Sequence, residues 1–177
     1  MSAIAARVQG VLIPICLLAG ASNYLQAQTA ASDLDLLAKI VGIAEINSRR
    51  ATGDFEQGLS VDTTSFVQLG TRALRHEILA SDFLRALNRN ARSTTYAQAV
   101  RCETASPRSC RVSDGGIFVR LDSLSANDST AIAVVTVVTS RVAPSGRESV
   151  CPRELKLLFT RGAGEWTYRR RLSVATC

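Results

Sequence analysis

The spacing of apolar residues changes once along this chain, from a helical period to a strand period. Leu34, Leu37, Val41 and Ala44 recur three and four residues apart, and Leu36, Ile40 and Ile43 widen that stripe to one broad helix face. Ser32-Asp33-Leu34-Asp35 precedes it, with a hydroxyl suited to free backbone N–H groups and two aspartates beside a positive helix end. The pattern predicts a helix from about Asp33 to Ser48, stopping near Arg49-Arg50-Ala51-Thr52-Gly53. Gly58 to Gly70 reads as a short strand or an irregular segment, through Val61, Thr63, Thr64, Phe66 and Val67. A second helical pattern then uses Leu74, Ile78, Leu79, Phe83, Leu84 and Leu87, and Ser81-Asp82 is where it would divide.

From Tyr96 onward the texture is strands and turns. Cys102 to Cys110 looks like a loop pinched by its own cysteines, and Asp114-Gly115-Gly116 is a turn signal. Ile117, Val119 and Leu121 alternate with Phe118, Arg120 and Asp122, the period of a half-buried strand. After a turn at Asn127-Asp128, Ala131–Arg141 carries Val134, Val135, Val137 and Val138 on both faces, which suits a central strand. Leu155–Arg161 and Glu165–Val174 form a hairpin about Gly162-Ala163-Gly164. Strict alternation places Trp166, Tyr168, Arg170, Leu172 and Val174 on one face, and Thr167, Arg169, Arg171 and Ser173 on the other.

Helices first, then a meander whose apolar face they cover, predict an α+β domain over residues 32–177, with about four antiparallel strands. A leading helix, a short helical region, four late strands and the ending Gly164-Glu165-Trp166-Thr167-Tyr168 resemble the curved meander of nuclear-transport-factor-2-like (cystatin-like α+β) domains. The resemblance implies N-terminal helices packed on a curved sheet. That superfamily includes enzymes, ligand binders and interaction modules, so it assigns no chemistry. The cystatin protease wedge is not matched: Gln98-Ala99-Val100-Arg101-Cys102 lacks its glycine, and the only tryptophan follows Glu165 rather than proline.

The N-terminus adds a destination. Arg7 is followed by the uncharged run Val11 to Ala21, and Ala19-Gly20-Ala21 is a small-x-small exit before Ser22. This reads as a signal peptide over residues 1–21, with Leu25-Gln26-Ala27 as a later exit, and predicts export to a periplasm or the medium of a bacterial cell. The run is shorter than the roughly 20 residues that span a bilayer, so membrane attachment requires the segment to stay uncleaved. Leu18-Ala19-Gly20 is followed by Ala21 where a lipoprotein has cysteine. Removal of the leader takes Cys16 and leaves Cys102, Cys110, Cys151 and Cys177, an even set that predicts two disulfides in an oxidising compartment. Three connectivities are open; proximity and hairpin pairing favour Cys102–Cys110 and Cys151–Cys177.

Charge changes the picture little. The formal net charge is +6, almost all from arginine, with Lys39 and Lys156 the only lysines. The arginines are scattered from Arg49 to Arg171, which argues against a nucleic-acid face. His76-Glu77 begins like a zinc-protease helix, but position 80 is Ala80 and no second histidine exists, so neither that metal site nor any other is expected. Gly58-Leu59-Ser60-Val61-Asp62 lacks the closing glycine of a nucleophile elbow. Two residues remain as candidates. His76 is a possible pocket acid or base. Arg170, alternating onto the apolar face, either anchors an anion or a buried carboxylate, or is turned outward by a bulge near Arg169-Arg170-Arg171. The reading is therefore an exported, non-enzymatic binding domain for a small molecule or a protein, without cofactor. The alternative is a pocket enzyme acting through His76 and Arg170.

Overall fold

The computed structural model of the 177-residue chain describes residues 16–53, 58–102, 110–113, 116–142 and 148–176. Helix α1 runs from Cys16 to Thr52, 37 residues, so it does not begin at Asp33 as the capping pattern predicted. Residues 22–31 contain neither glycine nor proline and are rich in alanine and glutamine, so nothing interrupts the helix there. The supposed cap residues take tertiary partners instead. Ser32 Oγ donates to the Gly164 carbonyl at 2.7 Å, Asp35 pairs with Lys39 at 2.6 Å, and Asp33 is turned inward. Residues 1–15 of the predicted leader, the span 103–109 between Cys102 and Cys110, Asp114-Gly115 of the predicted turn, and Cys177 lie outside the described residues.

The segment after Gly58 resolves into strand β1 (Leu59–Val61) and helix α2 (Thr63–Leu74). The second helical stretch thus starts about ten residues before the position its leucines suggested. Asp62 caps it, its side chain accepting from Ser65 N at 3.2 Å, and this local cap outweighs the β-branched Val61, Thr63 and Thr64. The break falls at Arg75–Leu79 rather than Ser81-Asp82, and helix α3 follows over Ala80–Leu87. Phe66 and Phe83 stack at 5.0 Å and lock α2 to α3.

Strands β2 (Ala91–Ser93), β5 (Ile117–Ala126), β6 (Thr130–Val142), β7 (Glu148–Gly162) and β8 (Glu165–Thr176) join β1 in a six-stranded sheet ordered β2-β1-β5-β6-β7-β8. The expected antiparallel meander is β5 to β8, and β1 is added parallel to both β2 and β5. Asn127 Oδ1 accepts from Ser129 N and Thr130 N at 3.0 and 2.8 Å, which makes the first hairpin turn. Ala163 and Gly164 both have positive φ, 51° and 85°, in the two-residue turn between Gly162 and Glu165.

Helices α1 to α3 cover one face of the sheet. Leu36, Leu37, Ile40, Val41 and Phe66 meet Val119, Val135, Leu157, Phe159 and Trp166 in a core that excludes solvent. The opposite face carries a smaller apolar group in which Phe118 and Val138 are covered by α4 (Tyr96–Ala99) and by the hairpin of β3 (Val100–Cys102) and β4 (Cys110–Val112). Two covered faces explain why β6, between β5 and β7, carries valines on both its faces. The molecule is a mixed α+β structure, helices on a largely antiparallel sheet.

Strand β8 departs from strict alternation. The pairings Lys156↔Ser173 and Leu157↔Arg171 leave Leu172 extra, and Leu158↔Arg170 and Phe159↔Tyr168 leave Arg169 extra. Each extra residue reverses the faces. Arg171 therefore lies on the helix side, where its Nη1 donates to Asn47 Oδ1 at 3.1 Å, and Arg170 points the other way and is exposed. Leu172 and Val174 are exposed at the sheet edge.

Candidate functional site

The helix–sheet interface itself is filled, so any site lies at its margin. The β5–β6 and β7–β8 turns emerge at one end of the sheet, and the chain brings Asp33 of α1 and the end of α2 to that end. An open cleft of about 470 Å³ results, lined by Asp33, Arg72, Arg75, His76, Arg161 and Trp166 among others.

Local geometry explains how His76 arrives there. Helix α2 stops at Arg75, a non-glycine residue in the left-handed region (φ 61°) whose N–H bonds the Thr71 carbonyl at 3.0 Å. Two residues beyond His76 the buried Ile78 anchors the segment in the core, its N–H donating to Thr71 Oγ1 at 3.2 Å. The turn held between these points carries His76 to α1. Its Nδ1 lies 2.8 Å from Asp33 Oδ2, at an angle short of a well-formed hydrogen bond. The Asp33 side chain is 4% exposed and the imidazole 32%, so a buried carboxylate backs a ring that opens to the cleft.

Trp166 forms the wall beside them and is 1% exposed. Its indole N–H is buried without a well-formed acceptor among the described residues, and Asp33 is the carboxylate it approaches. The Arg161 guanidinium lies over the indole, 5.4 Å from the ring centre. Lys39 Nζ donates to the Trp166 carbonyl at 2.6 Å and ties that strand to α1. Burial raises the Asp33 carboxyl above its ordinary value; His76, Arg161 and the indole pull it down without cancelling the effect. The site thus keeps a carboxylate where its charge is disfavoured.

Of the two residues selected from sequence, His76 lines the cleft, whereas Arg170 is exposed on the other face of the sheet and does not converge with it. The arginines that do are Arg72, Arg75 and Arg161. The capping pattern gives Asp33 to a helix start, and nothing in its neighbourhood along the chain signals a partner 43 residues away. Arg161 and Trp166 were legible as hairpin partners, and their place opposite each other across the Gly-bearing turn was the one available hint. Among the described residues, no three His, Cys, Asp or Glu side chains group so as to hold a metal ion. No described helix is long and apolar enough to cross a membrane. The chain matches no protein-family model, no curated protein and no solved structure with which it was compared.

Proposed function

We propose that this protein is an exported binding domain whose ligand is a small polar molecule held in the Asp33–His76–Trp166 cleft. One observation carries the reading: a partly exposed histidine, backed by a buried carboxylate, stands in a cleft of about 470 Å³ that also presents three arginines. Buried groups held in a disfavoured state collect at functional sites, because stability is given up there for chemistry or recognition. The lining carries both signs, with Asp33 and Asp128 facing Arg72, Arg75 and Arg161. A ligand with both donor and acceptor groups, such as an amino acid or a hydroxy acid, matches such a lining.

Export and two structural disulfides belong to the same proposal. The leader pattern of residues 1–21 supports the first. The second is supported by Cys102 and Cys110 standing at one register position of β3 and β4, and by Cys151, which is buried and disulfide-bonded. The order of helices and meander favours a distant nuclear-transport-factor-2-like relationship. An enzyme in this cleft would have to act through His76 with Arg161, since Arg170 is on the other face.

Trp166 is the single tryptophan of the chain and walls the cleft, so its emission reports occupancy. Titrating the mature oxidised protein with a panel of amino acids and hydroxy acids should give a saturable change for at least one compound. The change should be lost in Asp33→Asn. Invariant emission across the panel, or a response unaltered in Asp33→Asn, overturns the proposal.

A further inference from the structure

A second concavity lies away from this cleft and shares none of its lining. It is formed where the β3–β4 hairpin meets β1, β2 and α4, has a volume of about 560 Å³, and is lined by Arg92, Arg101, Arg111, Ser93, Thr94 and Ser113 among others. The hairpin has three residues in each strand. Val100 and Val112 pair and turn inward onto the Phe118 and Val138 group. The next pair, by strand alternation, faces outward, and it is Arg101 directly opposite Arg111.

Like charges in direct register across an antiparallel pair destabilise it. In so short a hairpin few ladder bonds offset that repulsion, and the bridge proposed at the adjacent Cys102↔Cys110 position would hold the two charges together against it. Among the described residues, no carboxylate lines the groove. Hydroxyls do: Ser93 and Thr94 come from the β2 side and Ser113 from the end of β4, its Oγ donating to the Gln98 carbonyl at 3.1 Å. Among the described residues, two exposed guanidinium forks in direct register, bordered by hydroxyls, form a concavity rich in N–H donors and without a carboxylate. That is the chemistry by which a group with several charged oxygens is recognised.

We infer that this groove binds a tetrahedral oxyanion, a phosphoryl or sulfate group carried on a small ligand. The anion sits between Arg101 and Arg111 and turns their mutual repulsion into a shared attraction. This site is independent of the Asp33 cleft, whose lining includes carboxylates.

The test uses the full oxidised chain with inorganic phosphate, and separately sulfate, against sodium chloride at matched ionic strength. Phosphate or sulfate should raise the thermal unfolding midpoint by about 5–10 °C at roughly 100-fold excess over Kd. The Nε–H resonances of Arg101 and Arg111 should move, while that of Arg161 stays in place. A response to phosphate alone assigns a phosphoryl ligand, and equal responses assign the oxyanion class. In the double variant Arg101→Gln/Arg111→Gln, the midpoint without anion should be unchanged or higher, because the repulsion is gone, and the anion increment should disappear. A midpoint equally raised by chloride, the absence of any increment, or an increment retained in the double variant overturns the inference. So does a double variant that melts lower without anion, since the two arginines would then be serving the hairpin itself.

Discussion

The Asp33–His76 pair is asymmetric, and its two halves should fail differently. Removing one member of a buried pair costs about 3–5 kcal/mol when the group left behind is a stranded charge out of water. His76→Ala leaves Asp33, with only 4% of its side chain exposed, facing Arg161 and an indole N–H. Those remaining partners reduce the loss to about 2–3 kcal/mol. Asp33→Ala leaves an imidazole 32% exposed, and the space vacated by the carboxylate admits water from the cleft to its buried Nδ1. It also relieves the burial that disfavours the carboxylate. The net change should lie within about 1 kcal/mol of zero. The histidine, the more exposed partner, is therefore the more costly one to delete.

The pH dependence follows with a definite sign. Burial holds the folded Asp33 carboxyl above its ordinary value of 3.8, so the folded chain binds that proton more tightly than the unfolded chain. Its contribution to stability is greatest below the unfolded value and is lost as pH rises through the folded value. Urea unfolding of wild type and both variants, at neutral pH and at a pH lowered toward the ordinary carboxyl value of 3.8, measures it. The wild type should gain on Asp33→Ala as the pH is lowered, and the cost of His76→Ala should shrink as the stranded carboxylate takes up a proton. An Asp33→Ala variant less stable than His76→Ala at neutral pH, with differences that do not change on acidification, would refute the reasoning.

Other substitutions probe the surrounding structure. Trp166→Ala should cost about 3–5 kcal/mol in urea unfolding, since it empties a fully packed position and removes the surface under Arg161; a loss under about 1.5 kcal/mol would mean that the wall collapses to fill the space. Ala163→Asn should stabilise by about 0.5–1 kcal/mol, because Ala163 holds φ 51° in a two-residue turn where Asn-Gly is preferred, and a lowered melting midpoint would contradict that turn assignment. Glu45→Ala should cost about 2–4 kcal/mol, because the Glu45 carboxylate is bound by Arg49 at 2.7 and 2.9 Å and by Arg89 from the α3–β2 connection. That loss should change little between low and moderate salt, and a steep salt dependence would place the pair in solvent.

Periodic elements were legible where burial is one-sided and the register unbroken. The α1 stripe from Leu34 to Ala44, the Asn127 turn and the Ala163 hairpin all follow from spacing and turn chemistry. The valines of β6 load both its faces and mark it as a central strand, the place it takes between β5 and β7. Where the reading failed, a single local residue decided between patterns of similar strength. Asp62, by accepting from Ser65 N, starts α2 inside a β-branched stretch. Ser32 and Asp33 look like a cap, yet their partners are Gly164 and His76, supplied by distant segments.

Strand β8 shows why the candidate site was only half readable. Alternation carries face information for as long as the ladder is regular, and one extra residue inverts everything beyond it. Arg169 is such a residue, and it exchanges the faces of Arg170 and Arg171. On the edge of the sheet these irregularities have a use of their own. They interrupt a long open strand bearing exposed Leu172 and Val174, which would otherwise template pairing with another chain. The same bulges that protect the edge thus remove Arg170 from the helix side. The cationic contribution to the cleft passes to Arg161, whose place opposite Trp166 lies before the first bulge and so obeys the pattern. His76 and Arg161 are the pair that the register permits.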